Sequence, residues 1–178
     1  MPEKTINHSN IMRNSIFAAV FAGICCSASA ADAPKSLTVP SADKKASITM
    51  NLSDGWKTSR SKDDSITIDV PMSGVHIQVW ALNQTSVDEA VKQVVDLIKG
   101  QVTQFTITET KTVSVAGADG KQLTGTGEEA DDGDPSNAVV YLFAVEGKVF
   151  MICAHGEGDG TVKNRALLTA LLASIKKG

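Results

Sequence analysis

Two greasy segments separated by two residues constrain this fold more than any other stretch of the chain. Ala138-Val139-Val140-Tyr141-Leu142-Phe143-Ala144-Val145 comes first and Lys148-Val149-Phe150-Met151-Ile152-Cys153-Ala154 follows. Both are rich in β-branched and aromatic residues, which favour strands. Glu146-Gly147 lies between them, and glycine takes the positive φ that a tight turn demands. Neither segment alternates apolar with polar, so the hairpin is expected at the centre of a sheet covered on both faces. With that turn, Val145 faces Lys148, Val140 faces Cys153 and Ala138 faces His155.

The rest of the chain supplies partners for the hairpin. Ile48, Met50 and Leu52 share one face of an alternating strand over 47–52, and Ser53-Asp54-Gly55 turns the chain before Trp56. Further alternating strands are expected at 66–70, which Pro71 stops, and at 75–80, where Val75, Ile77 and Val79 alternate with His76, Gln78 and Trp80. Ser86 and Glu89 form a capping box for a helix whose stripe is Val87, Ala90, Val91, Val94 and Ile98, ending near Gly100. A strand follows from Phe105 to about Val115, then a turn at Gly117-Ala118-Asp119-Gly120 and a strand from Lys121 to Gly127. Residues 128–137 read as an acidic loop and 155–160 as a glycine-rich one. Thr161 is expected to cap a last helix with a Leu168, Leu171, Leu172 and Ile175 stripe, its C-terminus suited by Lys176 and Lys177. Three strands, a helix, four strands and a helix make an α+β fold, a mostly antiparallel sheet flanked by helices as an αβα sandwich.

The N-terminus reads as an address. Lys4 and Arg13 precede an apolar run from Ile16 to Cys26, and Ala28-Ser29-Ala30 forms a small-x-small cleavage site. The run is too short for a stable bilayer span. Ile24 before Cys25 does not suit a lipobox. Met12-Arg13-Asn14 offers a more compact start, so the true start is Met1 or Met12. The expected organisation is a signal peptide at 1–30, a linker at 31–45 containing Pro34 and Pro40, and one domain at 46–178. The location is then periplasmic or secreted. Cleavage after Ala30 removes Lys4, Arg13 and Glu3 and leaves 15 basic against 19 acidic side chains. That balance argues against nucleic acid or anionic lipid as the main partner. It also leaves Cys153 as the only cysteine of the mature chain, so no intrachain disulfide is expected there.

Asp54-Gly55-Trp56, the strand pair after it, the Ser86-Val87-Asp88-Glu89-Ala90 helix start, the late hairpin and the closing Leu171-Leu172-Ala173-Ser174-Ile175 together resemble the PsbP-like superfamily. That superfamily includes the extrinsic photosystem II protein PsbP and bacterial periplasmic DcrB-like proteins. The resemblance runs from Ser47 to Ile175, with Asp54 where the family usually has Pro. It implies accessory and binding roles and carries over no catalytic residue.

No Gly-x-Ser-x-Gly elbow, His-Glu-x-x-His or P-loop is present. Cys153 and His155 share a strand face, as a thiol hydrolase or metal site requires, but a Cys among Met151, Ile152 and Ala154 reads first as a small buried hydrophobe. Gly156-x-Gly158-x-Gly160 precedes a helix, yet Glu157 and Asp159 repel phosphate, so it reads as a flexible connection. Trp56 and Trp80 read as core, and His76 as a satisfied polar residue under a helix. The acids offer more. Asp132, Asp134, Glu157 and Asp159 are the metal-ligand candidates, with Ca²⁺ the ion that such oxygen donors take. Glu128, Glu129 and Asp131 are the partner-binding candidates on the same rim. The expected function is a non-enzymatic binding or accessory module acting on another envelope protein, with no cofactor of its own and no membrane span after signal cleavage. The alternative is a carrier or sensor of a small ligand or divalent cation at the acidic end.

Overall fold

A computed structural model describes residues 35–62 and 64–178. The signal segment expected at 1–30 and the first residues of the linker lie outside them. The described chain runs β1 (Lys35–Pro40), β2 (Ser47–Leu52), β3 (Lys57–Arg60), β4 (Ile66–Val70), β5 (Val75–Ala81), α1 (Val87–Ile98), β6 (Val102–Val115), β7 (Ala118–Glu129), β8 (Pro135–Val145), β9 (Lys148–Glu157), α2 (Gly160–Lys163), α3 (Arg165–Ser174) and β10 (Lys176–Lys177). A seven-stranded sheet has the order β3-β4-β5-β9-β8-β7-β6, and a three-stranded sheet has the order β1-β2-β10. Every neighbouring pair is antiparallel.

The hairpin stands where its composition puts it. β9 is the fourth of the seven strands, with β8 beside it. Val145 pairs with Lys148, Val140 with Cys153 and Ala138 with His155, and the ladder continues to Ser136 and Glu157. Glu146 and Gly147 both have positive φ, 51° and 75°, as a two-residue turn that follows the strand twist requires. Both faces are covered. Ala138, Val140, Leu142, Val149, Met151 and Cys153 face Ala90, Val94 and Ile98 of α1. Tyr141, Phe143, Phe150, Ile152 and Ala154 belong to the other core with Leu168 and Leu171 of α3 and Ile48, Met50 and Leu52 of β2.

The α1 stripe is as expected, and Ser86 Oγ accepts from the Glu89 amide at 3.2 Å. The carboxylate of Glu89 reaches one residue further back than a capping box predicts, to the amide and hydroxyl of Thr85.

Several local expectations are corrected. Part of the expected linker is β1: Thr38 and Val39 pair with Thr49 and Ile48 of β2, and Val39 is buried. Lys57–Arg60 forms a short edge strand whose polar composition hid it. The β6–β7 turn falls at Ala116-Gly117, both at positive φ, and β7 runs on to Glu129. The acidic loop therefore shrinks to residues 130–134. His155, Gly156 and Glu157 continue β9 rather than opening a loop. Thr161 lies inside the four-residue α2, and Asn164 sits at the N-cap position of α3. Lys176 and Lys177 extend and pair with Thr49 and Ile48, so they close the small sheet instead of the helix.

Candidate functional site

α1 covers only part of its sheet face. It stops at Ile98, and the turn at Gly100-Gln101 leads away into β6. Beyond it a cleft of about 370 Å³ opens on the same face. Thr67, His76, Gln78, His155 and Glu157 come from β4, β5 and β9. Gly100, Gln101 and the loop residues Ala130, Asp131 and Asp132 line it as well, and the Ala130 amide donates to the Gln101 carbonyl at 2.9 Å.

The register explains why two histidines meet here. His76 and His155 are directly paired across β5 and β9, and residues opposite each other in a ladder project to the same side. Their ring centres stand 5.7 Å apart with planes tilted 33°. Gly156 makes the approach possible. A Cβ there would lie 2.0 Å from the Gly74 carbonyl oxygen, so only glycine lets the two backbones come this close.

Each histidine leans on a carboxylate. His155 Nδ1 is 2.8 Å from Glu129 Oε2, and both side chains are about nine-tenths buried. Ser136 Oγ donates to Glu129 Oε1 and also lies 3.2 Å from the Gly156 carbonyl oxygen. Glu129 thus accepts from two directions, which places the Nδ1 proton of His155 on the side facing it. His76 Nδ1 is 3.2 Å from Asp69 Oδ1, in a pair roughly half exposed. Burial drives His155 below its ordinary pKa of 6.5, against the pull of Glu129. Its Nε2 is buried and has no hydrogen-bond partner, and the same is true of Gln101 Oε1.

The structure sorts the residues singled out in the sequence. Asp132, Asp134 and Glu157 come together, with carboxylate oxygens within 4.8 Å of one another, all exposed. Asp159 does not join them: it pairs with Lys163 at 2.8 Å, and that bond lowers its pKa. Asp131 lines the cleft. Glu128 is turned to the other side of β7, where Gln104 Nε2 donates to it at 2.6 Å. Glu129 is not a rim charge: it is 8 % exposed and anchors His155. The hairpin register could have flagged it, since it brings Ser136 and His155 to the end of the strand pair where β7 finishes. His76 has a polar partner in Asp69, as expected, but it is exposed beyond the end of α1 rather than beneath it.

Cys153 is fully buried in the α1-facing core, and desolvation pushes its thiol up to about 12, which makes it a poor nucleophile. Ser136 is no better placed. It is 3 % exposed, and its hydroxyl bonds to the carboxylate rather than to an imidazole that could take its proton. α2 is a single turn behind the glycines, where Gly158 takes a positive φ.

Cyanobacterial PsbP from Synechocystis sp. PCC 6803 superposes with a TM-score of 0.53 over 86% of this chain and 98% of its own, at 13% identity. The fold is PsbP-like. LpqN of Mycobacterium tuberculosis, described as involved in cell envelope biogenesis, superposes with a TM-score of 0.54 over 80% of this chain and 90% of its own, at 13% identity. A protein of unknown function from Pseudomonas aeruginosa, described as a putative regulator, gives 0.51 over 71% and 88%, at 10% identity. No protein-family model matches the sequence, and no curated protein matches it. Similarity at this level of identity establishes the PsbP-like architecture and leaves function to the residues of the site. Among the described residues no helix is long and apolar enough to cross a membrane.

Proposed function

We propose that this chain is an exported, non-enzymatic binding module that docks another envelope protein at the acidic end of its PsbP-like fold. The observation that carries the reading is the cleft beyond α1. Its exposed lining includes Asp131, Asp132 and Glu157 and neither lysine nor arginine. Asp134 joins Asp132 and Glu157 at its mouth. Like charges gathered on one rim repel, and a basic partner surface relieves that repulsion. The buried thiol of Cys153 and the misplaced hydroxyl of Ser136 support a binding role over a hydrolytic one. The setting of LpqN, a protein of similar fold involved in cell envelope biogenesis, supports the envelope as the place.

A photo-crosslinking amino acid placed at Asp131 in the producing cell tests this. A discrete adduct is expected from that position and none from Glu146, at the opposite end of the hairpin. Equal labelling at both positions, or none at Asp131, overturns the reading. The convergence of Asp132, Asp134 and Glu157 favours a second reading, a carrier or sensor of a divalent cation at the same end.

A further inference from the structure

The floor of the cleft has a different chemistry from its rim. The rim offers exposed carboxylates, whereas the floor offers two imidazoles side by side. The two nitrogens of an imidazole point in divergent directions, so a ring held through one can offer the other to a second partner. His155 spends Nδ1 on Glu129, which approaches from the β7–β8 side. Its Nε2 is left without a partner, and His76 stands beside it on β5. His76 spends Nδ1 on Asp69 of β4, the strand on the side away from β9, which leaves its Nε2 for another partner. The result is two neighbouring rings, each held by a carboxylate through Nδ1.

A histidine that binds a metal through one nitrogen commonly donates the other N–H to a carboxylate, which fixes the tautomer and raises the basicity of the ligating nitrogen. Both rings have that arrangement. The spacing also fits. An ion about 2.0–2.1 Å from each nitrogen, plus roughly an ångström from nitrogen to ring centre, puts two rings sharing one ion roughly 5–6 Å apart. The rings here are 5.7 Å apart. His155 Nε2 supplies the independent sign of a missing ligand, because a buried acceptor without a partner is costly. His76 is 54 % exposed at its side chain and can turn to admit an ion without breaking a core contact.

We propose that His76 and His155 bind a divalent transition-metal ion of the Zn²⁺ class at the floor of this cleft, through their Nε2 atoms. Imidazole suits Zn²⁺, Cu²⁺ and Ni²⁺, whereas Ca²⁺ takes oxygen donors. The site is thus distinct in selectivity from the Asp132, Asp134 and Glu157 cluster. Its remaining coordination positions are open towards the cleft, where water or a carboxylate from the docked protein completes the shell. The proposal rests on the reading of the cleft as the binding site, but not on the docked protein being present.

Titration of the metal-stripped protein with Zn²⁺, Ca²⁺ and Co²⁺ by calorimetry and visible absorption tests it. One Zn²⁺ per chain is expected, with Co²⁺ giving the ligand-field bands of a nitrogen-ligated low-coordinate ion. His76→Gln, at an exposed position, should weaken Zn²⁺ by about tenfold or more, and Asp69→Asn by about tenfold through the lost support of the ring. Asp132→Asn combined with Asp134→Asn should leave Zn²⁺ affinity within about threefold, an arm that separates imidazole from carboxylate binding. The ring-proton resonances of His76 and His155 should shift together on Zn²⁺ addition, a readout that does not need a His155 variant to fold. No Zn²⁺ binding, binding indifferent to His76→Gln, or Ca²⁺ shifting the His76 and His155 ring protons as Zn²⁺ does overturns the proposal. A protein that cross-links at Asp131 but ignores Zn²⁺ loses the metal site and keeps the docking reading; the opposite pair of results does the reverse.

Discussion

Cys153 shows how little a side chain's type says about its chemistry. Two residues from a histidine on the same strand face, it has the spacing of a catalytic thiol. Full burial against Met151 and the α1 stripe instead pushes its pKa from 9.0 up to about 12. The unfolded chain then ionises first. The contribution of this thiol to stability is fully present below pH 9.0 and is lost as pH rises towards 12. We expect Cys153→Ala to cost about 1 kcal/mol at neutral pH and to lose less stability than the parent protein between pH 9.0 and 12 in denaturant titrations. A thiol reagent that labels the native protein rapidly at pH 8 would show that the burial is wrong. Glu129 makes the opposite point. Counted among seven rim acids in the sequence, it is the one that turns inward to hold a histidine.

Among the elements, the β5–β9 pairing does most for the site. It is the non-local join between the first strands and the central hairpin, and it sets His76 against His155. Gly156 is the residue on which the close approach depends. In Gly156→Ala the new Cβ meets the Gly74 carbonyl oxygen, a backbone atom that cannot swing aside. Relief requires the strands to part at the end where the histidines sit. We expect destabilisation of about 1–3 kcal/mol, measured by chemical unfolding, and accelerated amide exchange at Val75 and His155 ahead of the Glu146-Gly147 end of the hairpin. Uniform exchange along β9 would mean that the close approach is not what holds this end.

At the scale of the whole molecule, charge is distributed unevenly over a chain with a formal net charge of −3. Asp131, Asp132 and Asp134 stand exposed on one short loop beside Glu157. Neutralising the three aspartates together to asparagine should raise the stability of the free protein by up to about 0.5 kcal/mol at low salt, and the gain should shrink as salt screens the rim. Asp132→Asn and Asp134→Asn, combined with the cross-linker at position 131, should also abolish the adduct that defines partner docking. Lower stability in the triple variant, in metal-free buffer, would mean that hydrogen bonds such as the Asp134 amide to Asp132 Oδ1 matter more than repulsion.

The centre of the fold was legible from local pattern alone. A two-sided apolar hairpin with a two-residue turn can pair in one register, and that register follows from counting outward from Glu146-Gly147. The α1 stripe and its Ser86 cap were legible for the same reason: their signals are local and periodic. β1, β3 and β10 were not legible, because Lys35–Pro40, Lys57–Arg60 and Lys176–Lys177 are short edge segments whose strand state comes from a neighbour's ladder and not from their own side chains. The candidate site divides along the same line. That the acidic and glycine-rich stretches emerge together followed from hairpin register. That Glu129 turns in, that Asp159 leaves for Lys163, and that His76 and His155 face each other did not. Those depend on where β7 ends, where α1 stops short and how close β5 comes to β9, and only tertiary packing decides them.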